Sequence, residues 1–459
     1  MDALTQLRQN IEARARHLRQ LPWGVREGRL RRVSGLVLEV EGLPLSIGTR
    51  AHVHGHGGST WLEAECIGFE NQTTFLMALD HVNGLAPGAK VYPLMTPDLT
   101  PDGYRQREGV KSLGIGRALL GRVVDGLGRP LDGLGGEHVW AAKAPTPSAN
   151  PLRRVPVTDF LDTGVRAINT MLTVGRGQRI GLFAGSGVGK SVLLSMMARN
   201  CAADVMVIAL VGERSREVRE FVDEHLTSEA KARTVVVAAP ADSSPLARVK
   251  GAEFASEVAA WFRDQNQHVV LIVDSLTRYA MAQREIGLSL GESPVARGYP
   301  ASVFAKIPEL VEKVGNGERE EGSLTAFYTV LLEGDDIHDP VADAARGVFD
   351  GHVFLSREWA DAGHYPAIDI QKSISRVMPK LVSHEHLKAA RRLKTWIAKY
   401  ERSRDMLAMG AYMPGSDPEL DMAIKNWPAV LRLLQQDAHE VVSFEASRNL
   451  LMQLMKAPA

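Results

Sequence analysis

The chain of 459 residues is long enough for about three domains, and its 54 basic and 54 acidic residues leave no net field to attract nucleic acid. The two cysteines, Cys66 and Cys201, give no disulfide framework and indicate a reducing cytoplasm. No apolar run approaches the ~18 residues of a membrane span, and the N-terminus lacks a signal peptide's apolar core, so we expect any membrane contact to be peripheral.

Residues 1–24 have the pattern of a basic amphipathic helix that ends at Pro22. The apolar positions are Leu4, Leu7, Ile11, Leu18 and Leu21, and the basic ones are Arg8, Arg14, Arg16 and Arg19. Two interpretations stay open for this segment: a docking helix for a partner, or a solvated and partly frayed chain end.

Residues 25–97 contain short strand-like runs separated by Gly, Pro and Asn, which predicts a small β-barrel. Within it, His52, His54 and His56 alternate as on one face of a strand. Imidazoles in such a set can bind zinc, copper or nickel, but a solvated hairpin beside Gly57 explains the pattern better. We therefore assign this cluster no site.

A proline-rich connector, KAPTPSANP at 143–151, leads into alternating apolar strands and helical segments. Over residues 98–380 these predict a doubly wound parallel α/β sheet, and residues 381–459 read as a helical domain. The α/β region contains AGSGVGKS at 184–191, between a buried strand and a helix start, which is the pattern of a phosphate-binding loop.

Each position of this loop has a physical task. Glycines let backbone N–H groups surround phosphate at the positive end of a helix, Lys190 reaches the outer phosphates, and the Ser191 hydroxyl holds Mg²⁺. The alternative is a glycine-rich turn without a ligand, which the Lys-Ser pair and the preceding strand disfavour. The predicted nucleotide-binding residues are Gly185, Ser186, Gly187, Val188, Gly189, Lys190, Ser191 and Val192.

Two further strands end in carboxylates. The apolar run 269–274 closes with Asp274, which we expect on the Mg²⁺ side of the nucleotide. The run 205–211 is followed by Glu213, which would emerge at the same carboxyl edge and could deprotonate an attacking water. The alternative for Glu213 is an ordinary acid at a helix N-terminus, favoured by the helix dipole.

The segment GERSREV at 212–218 resembles the signature of the catalytic subunits of rotary ATPases and type III export ATPases. The segments LGRVVDGLGRPLDG at 120–133, DSLTRYAMAQRE at 274–285 and GYPASVF at 298–304 resemble the same family. The likeness runs from Gly28 to the C-terminal helices. Within the family, GLVLE at 35–39 and GAYMPGSDP at 410–418 are similar to the flagellar export ATPases.

The resemblance implies roles for particular residues. Glu213 becomes the catalytic base and Arg214 joins the phosphate-facing residues. Tyr365 lies in a segment similar to the family's adenine-contacting one, with a core aromatic as the alternative. Arg376, in SISR at 373–376, matches an arginine finger that reaches a neighbouring subunit's site; the alternative is a surface arginine. A guanidinium there can stabilise transition-state charge on the γ-phosphoryl group.

The resemblance also implies a RecA-like core and a homohexameric Mg-ATPase that couples ATP hydrolysis to export of unfolded flagellar proteins. The implied partners are a stator-like regulator at the N-terminal helix, a central stalk-like protein, export chaperones, unfolded substrates and a membrane export gate. The implied location is cytoplasmic, peripheral to the inner membrane at the flagellar base. The alternatives are a virulence-type secretion ATPase and, less favoured, an ATP synthase β-type subunit or an RNA-driven translocase. The C-terminal region lacks the consecutive acids of the rotary β subunit, which argues against ATP synthase.

Overall fold

The computed structural model describes residues 27–55, 61–80, 82–98, 105–108, 115–134, 152–318, 322–336 and 338–456. The predicted N-terminal amphipathic helix, the proline-rich connector and His56 lie outside the described residues. The chain forms two compact units, one that contains the predicted barrel and one that contains the sheet and the C-terminal helices.

An antiparallel barrel of six strands closes in the order β1-β2-β5-β4-β3-β6. Its strands are β1 (Gly28–Ser34), β2 (Val37–Glu41), β3 (Arg50–His54), β4 (Trp61–Glu70), β5 (Thr73–Ala78) and β6 (Lys90–Pro93). Alternate side chains fill the interior, so Ala51 and Val53 are buried while His52 and His54 are only half-buried. The predicted barrel is confirmed.

The two described histidines of the predicted cluster lie beside aromatic and acidic side chains. The rings of His54 and Trp61 meet edge to face, with centroids 4.2 Å apart, and His52 Nε2 lies 3.5 Å from Glu63 Oε1. Within the described residues, no group of three or more His, Cys, Asp or Glu side chains is arranged to hold a metal ion.

Short two-stranded sheets accompany the barrel and the central sheet. They pair β7 (Met95–Asp98) with β8 (Arg105–Glu108), β10 (Phe160–Leu161) with β11 (Val174–Gly175), and β16 (Pro294–Ala296) with β17 (Tyr299–Pro300).

The central sheet has eight strands in the order β20-β19-β12-β18-β15-β13-β14-β9. They are β9 (Val123–Asp125), β12 (Arg179–Ala184), β13 (Val205–Val211), β14 (Thr234–Ala239), β15 (His268–Asp274), β18 (Ser323–Leu331), β19 (Gly351–Leu355) and β20 (Ile368–Ser375). Neighbours pair in parallel except β19 and β20. Every residue of β13 and β14 is buried, as expected for parallel strands covered on both faces. The predicted parallel sheet is confirmed, with one antiparallel edge strand.

Helices connect the strands and complete the unit. The α-helices are Arg166–Met171, Lys190–Asn200, Ser215–Glu220, Ser228–Ala232, Pro245–Arg263, Leu276–Ser289, Ala301–Glu312, Pro340–Val348, Arg357–Asp361, Met378–Leu381, His384–Ala408, Pro418–Leu434 and Phe444–Lys456. None of the helices in the described part of the chain combines the length and apolarity that crossing a bilayer requires.

The C-terminal helices share their core with the sheet. Leu393 and Val430 belong to the same hydrophobic cluster as Leu182 of β12 and Ile208 of β13. The 25-residue helix His384–Ala408 begins where the Ser383 side chain accepts a hydrogen bond from the His386 amide, which satisfies one free N–H of the first turn. The predicted C-terminal helical region is confirmed.

Candidate active site

The candidate site residues follow three strands that end at the same edge of the central sheet. Because β12, β13 and β15 are parallel members of one sheet, their carboxyl ends meet at the same edge. The loop after β12 contains Lys190, the turn after β13 contains Glu213, and Asp274 is the last residue of β15. The sequence segments that predict the site are therefore brought together by strand direction.

The phosphate-binding loop depends on glycines where the backbone turns. Gly187 has φ +79° and Gly189 has φ +88°, a region that residues with a Cβ rarely adopt. Helix Lys190–Asn200 begins immediately after Gly189. The Val188 side chain is buried in the hydrophobic core and anchors the loop, so among the predicted ligands this residue can offer only its backbone. Ser191 and Val192, at the helix start, are exposed in the pocket.

Tyr365 lies against this loop. A Cβ added to Gly189 would come within 3.1 Å of the Tyr365 ring, so the loop backbone and the ring are in close contact. The Tyr365 side chain is 41% exposed, which does not fit the alternative of a core aromatic.

The Lys190 ammonium group forms ion pairs with the acids that follow or end the two other strands. Its Nζ lies 3.2 Å from Glu213 Oε1 and 2.5 Å from Asp274 Oδ1. Burial opposes the charge on the ammonium group, but Asp274 and then Glu213 outweigh it and raise the pKa of Lys190. The site therefore holds one fixed cation between two acids.

Glu213 has a perturbed protonation equilibrium. Burial raises the pKa of its carboxyl group against the attraction of Lys190, and the negative charge of Asp274 raises it further. A carboxylate at this edge with a pKa above its usual range is a better proton acceptor than a free one, which is the property a general base needs.

Arg214 follows Glu213 at the mouth of the same pocket. Its side chain is 79% exposed, and its Nη1 lies 3.4 Å from Glu217 Oε1. In this position the guanidinium borders the pocket and is oriented by Glu217, an acid of the first turn of the following helix.

The structure adds three side chains that the sequence did not single out. The Thr329 hydroxyl donates to Asp274 Oδ1 at 2.6 Å, and Arg357 Nη2 donates to the Ser186 carbonyl at 3.0 Å. Arg278 lines the pocket and packs so closely on Gly212 that a Cβ there would lie 2.7 Å from the Arg278 Cβ. A polar residue inside the apolar run of β18 was a usable signal for Thr329. The contact of Arg357 had no local signal.

Arg376 lies away from the other predicted site residues. Ser375, the last residue of β20, pairs with Gly351, which also pairs with Ile180 at the start of β12. The loop begins only after Ala184, four residues further along β12, so about 13 Å of strand separates the two positions. The exposed Arg376 is thus at the amino edge of the sheet, opposite the pocket of its own chain.

The pocket has a volume of about 610 Å³ and is lined by the loop, Glu213, Arg214 and Glu217. A glycine loop at a helix N-terminus, a buried lysine and two strand-end acids make up the site of a phosphate-binding-loop nucleoside triphosphatase. The fold and the site define this class of enzyme.

Family models match most of the chain. The nucleotide-binding domain of the ATP synthase alpha/beta family matches residues 164–375, and the beta-barrel domain of that family matches residues 30–95. The T3SS EscN ATPase C-terminal domain matches residues 382–453.

Whole-chain relatives agree with these models. The flagellum-specific ATP synthase of Salmonella typhimurium (strain LT2) is 53% identical over 95% of both chains. The type 3 secretion system ATPase of Xanthomonas euvesicatoria is 42% identical over 95% of this chain and 96% of its own. The assembled ATPase EscN of the enteropathogenic E. coli type III secretion system superposes with a TM-score of 0.84 at 38% identity, over 93% of this chain and 99% of EscN. EscN in complex with its central stalk EscO gives a TM-score of 0.82 at 37% identity with the same coverage.

The chain belongs to the family of flagellum-specific ATP synthases and type III secretion system ATPases. The resemblance drawn from the sequence motifs is confirmed, and the enzyme is an ATPase that uses a nucleotide. Its higher identity to the flagellar relative, 53% against 42%, favours the flagellar branch over the virulence branch. The match of the C-terminal region to the secretion ATPases argues against an ATP synthase β subunit.

Proposed function

We propose that this chain hydrolyses Mg-ATP in a homohexameric ring of the bacterial flagellar type III export apparatus, and that hydrolysis drives unfolding and export of flagellar proteins. The observation that carries the proposal is a complete phosphate-binding pocket in a chain 53% identical to a flagellum-specific ATP synthase along nearly all of its length.

Lys190 binds the outer phosphates in this proposal. Phosphate oxygens compete with the carboxylates of Glu213 and Asp274 for the ammonium group that now bridges them. Nucleotide binding therefore releases Glu213 from its ion pair and leaves it available to accept a proton. The loop amides from Gly185 to Ser191 surround the phosphates at the helix N-terminus.

The residues that would hold Mg²⁺ are Ser191 and Asp274. Magnesium prefers oxygen ligands; the Ser191 hydroxyl lines the pocket, and the Asp274 carboxylate bonds Lys190, which lines the same pocket. The bound ion would neutralise charge on the β- and γ-phosphates. Glu213 orients the attacking water and takes its proton, and Arg214 contributes positive charge at the mouth of the pocket.

Tyr365 is proposed to stack on the adenine. Its ring is partly exposed and touches the backbone of the loop at Gly189. A flat aromatic surface next to the phosphate-binding loop can contact the base of the same nucleotide whose phosphates the loop binds.

Arg376 is proposed to act on the pocket of a neighbouring subunit. It is exposed at the sheet edge opposite its own pocket, so its guanidinium is available to a second copy of the chain. The neighbour EscN is known as an assembled ATPase, which supports a ring. A guanidinium supplied from the next subunit would stabilise the charge that develops on the γ-phosphoryl oxygens.

The partners follow from the same family assignment. EscN was solved with a central stalk, and we propose a stalk-like protein for this chain too. We further propose a stator-like regulator at residues 1–24, export chaperones and unfolded substrates as cargo, and a membrane export gate, with the ring cytoplasmic and peripheral to the inner membrane. The virulence-type alternative would show the same chemistry, so an ATPase assay does not distinguish the two. Deletion of the gene for this chain should abolish motility if the flagellar assignment is right.

The test of ring formation is turnover per subunit as a function of protein concentration. We expect turnover to rise steeply as subunits assemble, because a monomer lacks the arginine of its neighbour. Lys190→Ala serves as the control, with loss of both nucleotide binding and turnover at every concentration. Full turnover by a strictly monomeric wild-type chain would contradict the proposal.

A further inference from the structure

We propose that Thr329 is a positioning residue that fixes the orientation of the Asp274 carboxylate toward the divalent cation. The inference rests on the proposed metal role of Asp274. Its structural basis is a buried hydroxyl that no motif of the sequence identified, in direct contact with the acid at the end of the neighbouring strand.

Thr329 is held in place by the sheet. It lies on β18, between β12, which leads into the phosphate-binding loop, and β15, which ends at Asp274. Tyr328 pairs with Val273, so the next residue of β18, Thr329, stands beside Asp274. The residue has 0% exposure, and its β-branched side chain has little rotational freedom in a strand. The hydroxyl is therefore fixed relative to the carboxylate.

The hydrogen bonds to Asp274 are asymmetric. In the described part of the chain, Thr329 Oγ1 at 2.6 Å and Lys190 Nζ at 2.5 Å both reach Oδ1. Oδ2 is thus the oxygen left for the cation or for water bound to it. A hydroxyl that donates to a metal-binding carboxylate sets the orientation of that carboxylate and tunes its affinity for metal.

The two hydrogen bonds to Asp274 differ in whether they persist when a nucleotide binds. Lys190 is also the group that phosphate attracts, so a bound nucleotide weakens its contact with Asp274. The Thr329 side chain keeps its position when phosphate binds, because its backbone belongs to a central strand. Its hydrogen bond is consequently the constant one, and its effect on metal binding should be largest when nucleotide is present.

The chain contains a matched control on the same strand. Thr325 is also buried, but its hydroxyl contacts the Gly177 amide at 2.8 Å, near the opposite end of β18. A valine at either position keeps the β-branched shape and removes the hydroxyl. Comparing Thr329→Val with Thr325→Val therefore separates a general cost of burying a changed side chain from an effect on the site.

The experiment measures Mn²⁺ binding in the presence of ADP by electron paramagnetic resonance, with no turnover. We expect Thr329→Val to weaken Mn²⁺ affinity about tenfold, as loss of a hydrogen-bond partner of a metal ligand does, and Thr329→Ser to restore it. Metal-free ADP affinity should stay at the wild-type level in Thr329→Val. Thr325→Val should leave Mn²⁺ affinity unchanged. Melting curves check folding, and Thr329→Ala replaces the valine variant if that one does not fold.

Wild-type Mn²⁺ affinity in a folded Thr329→Val or Thr329→Ala chain would overturn the inference, as would an equal loss in Thr325→Val. The variant Asp274→Asn distinguishes this failure from failure of the proposed function. If Asp274→Asn loses Mn²⁺ affinity and the threonine variants do not, only the role of Thr329 is wrong. If Asp274→Asn also binds Mn²⁺ normally, the metal role of Asp274 itself is wrong, and the inference falls with it.

Discussion

The carboxyl edge of the central sheet brings Glu213 and Asp274 into direct contact with Lys190, whereas the amino edge presents Arg376 on the side opposite the pocket of its own chain. At the first edge, opposite charges satisfy each other inside the pocket. At the second, Arg376 is exposed, and its amide bonds the Asp350 carbonyl at 3.0 Å.

This difference separates binding from catalysis. In the proposed mechanism the residues that hold phosphate all come from loops after parallel strands, so we expect one chain to bind a nucleotide by itself. The arginine sits at the other edge because β20 runs antiparallel to β19 and carries its last residues away from the pocket. In the proposed ring, the carboxyl edge of one copy and the amino edge of the next would together complete the active site.

The largest expected effect on turnover comes from removing Arg376, the arginine at the amino edge of the sheet. Arg376→Ala should lower turnover of the assembled ring about 10³-fold, the usual contribution of an arginine finger, while nucleotide affinity of the monomer stays at the wild-type level. Arg376→Lys should recover little, because an ammonium cannot make the paired contacts of a guanidinium. Steady-state ATPase assays beside equilibrium binding of an ATP analogue measure both quantities. A binding defect in the monomer would count against a role in trans.

A smaller effect is expected from the carboxyl edge when its base is neutralised. Glu213→Gln should retain nucleotide binding, since it removes a negative charge beside the phosphates, and should lower turnover about 10²- to 10³-fold through loss of the proton acceptor. Glu217→Gln is the matched control, because Glu217 lines the same pocket one helical turn away. Its turnover should fall much less than that of Glu213→Gln, because Glu217 orients Arg214 but takes no proton in the proposed mechanism. Wild-type turnover by Glu213→Gln would remove Glu213 from the mechanism.

The smallest effect is expected from removing the contact of Arg357 with the phosphate-binding loop. Arg357 makes a charged hydrogen bond to the Ser186 carbonyl, and loss of about 1 kcal/mol corresponds to a roughly fivefold higher KM for ATP in Arg357→Ala. The value of kcat should change little, and Arg357→Lys should restore part of the affinity. A large fall in kcat at unchanged KM would show that Arg357 acts on the reaction itself.

Local patterns predicted the barrel, the parallel sheet and the loop, because each of these depends on periodicity or on glycine at positions of positive φ. Contacts between distant strands were beyond such patterns. Thr329 meets Asp274 through the register of β18 on β15, and Arg357 meets Ser186 across 171 positions of the chain. The sequence patterns also did not predict that β20 runs antiparallel to β19, although this direction decides on which edge Arg376 lies.

The most direct test of the two-edge account mixes two inactive variants, Glu213→Gln and Arg376→Ala, before assembly. Each pocket with an intact Glu213 then has an equal chance of a neighbour with an intact Arg376, so equal amounts should recover about one quarter of wild-type turnover in a random ring. A Glu213→Gln/Arg376→Ala double variant mixed with Arg376→Ala should recover none. If the two single variants stay inactive in rings shown to contain both, the arginine does not complete a neighbour's site and the account is contradicted.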